Sequence, residues 1–106
     1  MTTFDKREEG FEAKFAHDEE LRFLALARRN KLLGAWAAKL LGLPEAQAEA
    51  YATQLAAPDL IASDERLAIK VVADLKAKGI ARQPQEVLAT MKNLLARAIG
   101  DIEAGH

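Results

Sequence analysis

The chain has no cysteine, three Pro, six Gly and only six aromatic residues (four Phe, one Trp, one Tyr) in 106. Without a thiol there is no disulfide scaffold, no thiolate zinc site and no cysteine nucleophile, and the composition suits a reducing compartment. Val and Ile together number only eight. Strands favour β-branched and aromatic side chains, so a sheet-rich fold is not expected. No window reaches the roughly 18 apolar residues of a membrane span, and the first 20 residues, MTTFDKREEGFEAKFAHDEE, lack the apolar core of a signal peptide. The chain reads as cytoplasmic, with no direct membrane insertion.

What is present is Ala and Leu. Twenty-two Ala and 15 Leu dominate a hydrophobic half of the chain, and both are strong helix formers. The fold class is therefore all-α. A chain of this length buries roughly two thirds of its unfolded surface, enough for one core.

The net charge of −1 conceals blocks of alternating sign. Residues 1–20 carry −4, residues 21–42 carry +5 with no acid, residues 43–65 carry −5 with no base, residues 66–97 carry +5, and the last nine carry −2. A nucleic-acid binder gathers positive charge on one face, whereas alternating blocks on consecutive helices can satisfy one another. Nucleic acid is accordingly not an expected partner.

Punctuation falls at Gly42-Leu43-Pro44, at Ala57-Pro58-Asp59 and from Gly79 to Pro84. Gly42 and Gly79 are placed to end helices in the left-handed conformation, and each Pro to occupy a first helical turn. The expected helices run over about 18–41, 45–57, 60 or 64–79, and 84–103. The last has Val87, Met91, Leu94, Leu95, Ala98, Ile99 and Ile102 on one face, and the third has Leu67, Ala68, Val71, Val72 and Leu75. Leu26, Leu33, Trp36, Ala37 and Leu40 share a face of the first, and Tyr51 and Leu55 anchor the second. Ser63 reads as an N-cap, as does Asp18, each followed by two acids in the first turn.

Arg22 and Arg29 project on nearly the same side as Leu33, Trp36 and Leu40. Their stems can cover apolar surface while the guanidiniums reach solvent or an acid of a neighbouring helix. A second reading makes Arg28, Arg29 and Lys31, with no local acid, a contact for adenine-nucleotide phosphate. No Gly-rich loop supplies the backbone N–H groups such a site usually adds. No cofactor is otherwise implied.

The N-terminal segment stands apart. Phe4, Phe11 and Phe15 recur at i, i+7 and i+11, which places them on a helical stripe about 40° wide. Asp5, Glu8, Glu9 and Glu12 surround them, Gly10 weakens the helix, and a helix of this length is marginal alone in water. A continuous helix from 4 to 41 would be about 57 Å long against about 30 Å for the longest of the others, so half of it would have nothing to pack on. Such a segment either folds back onto the rest of the chain or frays, or offers its aromatic anchors to a partner; unburied Phe residues favour the latter, so residues 1–17 read as a mobile, partly helical segment ahead of a folded domain from 18 to 106.

His17-Asp18-Glu19-Glu20 lacks the paired histidines of a metal site, and no metal is expected. G-x-x-x-x-G-K-[ST], H-E-x-x-H and G-x-S-x-G are all absent, which argues against an enzyme and leaves no catalytic residues to name.

The runs Phe4-Asp5-Lys6-Arg7-Glu8, Phe15-Ala16-His17-Asp18-Glu19-Glu20-Leu21-Arg22-Phe23 and Ala27-Arg28-Arg29-Asn30-Lys31-Leu32-Leu33-Gly34-Ala35-Trp36-Ala37-Ala38 resemble the zeta subunit of the alphaproteobacterial F-type ATP synthase, an ATPase inhibitor family. The resemblance extends over essentially the whole chain. It implies a four-helix bundle, monomeric when free, with an inhibitory N-terminal segment that enters an interface between catalytic and non-catalytic subunits of the synthase head beside the central rotor. Carried over to this chain, Phe4, Phe11 and Phe15 become apolar anchors, and Asp5, Lys6, Arg7, Glu8 and Glu12 polar contacts. The protein would then lie in the cytoplasm, peripheral to the inner membrane through the synthase.

Overall fold

The structure is a computed structural model that describes residues 17–105. Five helices make up this part of the chain: α1 (Glu19–Leu41), α2 (Glu45–Leu55), α3 (Pro58–Ala62), α4 (Asp64–Ala77) and α5 (Pro84–Glu103). No strand occurs among the described residues.

The ends of these helices follow from single residues. Asp18 is extended (φ −103°, ψ 107°) and its carboxylate accepts the Leu21 N–H at 3.1 Å, with Glu19 and Glu20 next to the helix's positive end. Gly42 takes the left-handed conformation at φ +70°, which lets the Leu43 N–H return to the Ala38 carbonyl at 3.0 Å and close α1. The end of α4 repeats the arrangement, with Ile80 N–H bonded to the Leu75 carbonyl at 2.9 Å. Pro58 and Pro84 open α3 and α5 as expected, but Pro44 stands one residue ahead of its helix, as the N-cap of α2. At α5 the Glu86 carboxylate reaches back to the Gln83 N–H at 3.0 Å.

Four expected helices become five because the stretch from Pro58 to Ala77 breaks at Ser63. That residue is extended (φ −141°, ψ 111°), and its hydroxyl accepts the Arg66 N–H at 3.2 Å. One residue thus ends α3 and caps α4.

The main core joins all five helices. Leu33 and Ala37 of α1 meet Leu55 of α2, Leu60 of α3, Leu67, Val71 and Leu75 of α4, and Val87 and Met91 of α5. Fully burying each large side chain stabilises the fold by roughly 1.5–3 kcal/mol. A smaller cluster, Ala25 and Ile99 with Leu21, Leu95 and Ile102, joins the start of α1 to the end of α5. Helix α1 is the hub, packing most extensively on α2 and α5. It approaches α2 closely at Gly34, where a Cβ would lie 2.9 Å from the Ala52 Cβ. Among the described residues, no helix is long and apolar enough to cross a membrane.

Candidate functional site

Arg28, Arg29 and Lys31 put three cations within four residues of α1, and the fold sends the two arginines to different neighbours. Arg29 is 2% exposed: Nε donates to Asn30 Oδ1 at 3.0 Å, and Nη2 lies 2.9 Å from Asp64 Oδ1 in the first turn of α4. This last contact is an ion pair by distance, although its angle does not make a hydrogen bond. Asn30, fully buried, donates through Nδ2 to the Leu55 carbonyl at 2.8 Å and so satisfies the open end of α2. Arg28 turns to α5, with Nε donating to Asp101 Oδ2 at 3.0 Å. Lys31 is exposed.

Of the three residues considered for a nucleotide phosphate, Arg28 and Lys31 line one groove, whereas Arg29 is buried toward α4. Arg29 reaches an acid of a neighbouring helix, as the first reading of its position expects. The basic block of α1 is matched by acids 35 and 73 residues further on, in keeping with internal pairing of the alternating blocks. A further polar group joins α2 to α4. The Tyr51 hydroxyl donates to Asp74 Oδ2 at 2.7 Å, and Lys70 Nζ donates to the same oxygen at 3.2 Å while lying 5.9 Å from the ring centroid. Burial and then the Asp74 carboxylate push the phenol well above the usual tyrosine range.

The N-terminal candidates Phe4, Asp5, Lys6, Arg7, Glu8, Phe11, Glu12 and Phe15 lie outside the described residues. What the structure adds is the surface that follows them. Phe23 and Leu24, in the second turn of α1, are 53% and 46% exposed. Phe23 edges an open groove of about 380 Å³ lined by Glu19, Arg22, Leu26, Ile61 and Ala62, between α1 and α3. Leu24 edges a second groove with Ala27, Arg28, Lys31 and Ile102, between α1 and α5. Neither residue was singled out as a site from the sequence, although both lie off the Leu26, Leu33 and Leu40 stripe. No cluster of three or more metal-ligating side chains occurs among the described residues.

The architecture is that of a small helical module, tied internally by ion pairs from α1, with Phe23 and Leu24 left outward near the start of α1 and Ile69 and Leu88 exposed on α4 and α5. A family model described as ATPase inhibitor subunit zeta matches residues 1–101, and the chain belongs to that family. The family description makes it a subunit that inhibits an ATPase. No curated protein matches the chain.

Proposed function

We propose that this protein blocks ATP hydrolysis by its cognate F-type synthase by inserting residues 1–17 at a catalytic interface of the head, while leaving synthesis much less affected. The observation that carries this reading is the Phe4, Phe11 and Phe15 stripe, which lies within the span of the family match and ahead of the capped start of α1 at Asp18. The partners on this reading are the catalytic and non-catalytic subunits and the central rotor. The chain itself is not an enzyme, and residues 18–106 form a bundle of four main helices with α3 as a link. It acts as a monomer on the cytoplasmic side of the membrane.

Direction dependence has a physical basis. Rotation one way closes a groove around an inserted segment and deepens its burial, whereas rotation the other way opens the groove and expels it. The test assays hydrolysis and synthesis with the full chain and with one starting at Asp18. The full chain should suppress hydrolysis selectively and the shortened one should not; equal inhibition by both would overturn the assignment.

A further inference from the structure

We infer that the surface contacting the ATPase does not stop at residue 17 but continues onto the folded domain, through the groove formed by Phe23, Leu26, Ile61 and Ala62. This inference rests on the reading of residues 1–17 as the inserted element.

Two observations support it. The first is distance. Phe23 lies four residues beyond Glu19, about 6 Å along the axis, so a segment held in the head leaves this groove at the mouth of its own binding site. The second is surface chemistry. A half-exposed Phe beside an apolar groove, with Glu19 and Arg22 on its rim, presents an apolar socket and both signs of charge to a protein surface. The occupant is thus an apolar side chain of the ATPase at the edge of the inserted segment, not a small ligand.

The test compares full-length wild type with Phe11→Ala, Phe23→Ser and Ala62→Lys, reading the half-inhibitory concentration for ATP hydrolysis together with Tm. Phe23→Ser should weaken inhibition by about tenfold, the scale of losing an aromatic anchor, with Tm within about 3 °C of wild type. Ala62 is exposed at the end of α3, where a Lys is compatible with the helix dipole, and Ala62→Lys should weaken inhibition in the same direction. It decides the matter if Phe23→Ser lowers Tm strongly. If Phe11→Ala weakens inhibition while the other two stay within twofold of wild type, the contact ends before Asp18 and the inference fails alone. If Phe11→Ala has no effect, the N-terminal reading fails and the inference with it. Stronger inhibition by Phe23→Ser would mean that the chain's own residues 1–17 cover this groove in the free state, and a wild-type dimer that Phe23→Ser splits would mean that a second copy does. Either result overturns the inference.

Discussion

Gly34 and Ala52 stand at a close approach of α1 to α2, with a Cβ added at position 34 meeting Ala52 Cβ at 2.9 Å, Ala52 N at 3.1 Å, and Ala52 Cα closer still. Because backbone atoms stand in the way, no side-chain rotation relieves the clash. Gly34→Ala should cost about 2 kcal/mol even though Ala is the better helix former, and lower Tm by roughly 8–16 °C. Adding Ala52→Gly should recover little of this, since Cα and N remain. A thermal melt of the single and double variants checks both statements.

Arg29 and Asp64 offer a test of charge. Asp64 is more than half exposed, so water screens the pair, yet the guanidinium it faces is buried. Asp64→Asn keeps the shape but leaves that buried charge without its carboxylate and removes an acid from the first turn of α4. The expected loss is about 1–2 kcal/mol by urea unfolding at pH 7.

Asn30 makes two buried hydrogen bonds at once, accepting from Arg29 Nε and donating to the Leu55 carbonyl. Asn30→Leu keeps the number and branching of side-chain heavy atoms but is bulkier and leaves both partners unsatisfied, so it should destabilise by about 2–4 kcal/mol despite the added apolar surface. Stability equal to wild type would mean that water or a shift of α2 replaces the bonds.

Tyr51 sets a limit at high pH. Its folded-state pKa is raised by burial and by Asp74, so the folded protein holds the phenolic proton after the unfolded chain has released it at about pH 10. Stability from this group is fully present below about pH 10 and falls above it, by up to roughly 1.4 kcal/mol per pH unit. Unfolding free energies measured between pH 8 and 11 should decline more steeply in wild type than in Tyr51→Phe.

Where structure is decided locally, the sequence was legible. Asp18, Ser63, Gly42 and Gly79 were identified as helix ends because each acts on backbone groups within a few residues. The apolar faces of α4 and α5 followed from spacing alone. The spacing alone allows a helix that starts at 60 or at 64, because Ser63 can cap α4 whether or not a helix precedes it. The start of α2 at residue 45 matches the expectation, but Pro44 serves as its N-cap and not in its first turn, because the ring's fixed φ suits an N-cap in extended conformation as well. The partners of Arg29 and Asn30 were not legible. Asp64 lies 35 residues away, and the Leu55 carbonyl needs a partner only because α2 ends there. Of the candidate site, the aromatic stripe was read from its spacing. The exposure of Phe23 depends on where the core stops, which no local pattern records.

The Asp18 cap couples binding to helix growth. Any partner that draws residues 1–17 into a helix continuous with α1 must turn Asp18 from its extended conformation and break its bond to the Leu21 N–H. That step costs about 1 kcal/mol, which corresponds to roughly a fivefold loss of affinity. The cap is thus a switch point for helix growth: a partner that leaves Asp18 extended keeps the bond, and one that extends α1 through it gives the bond up.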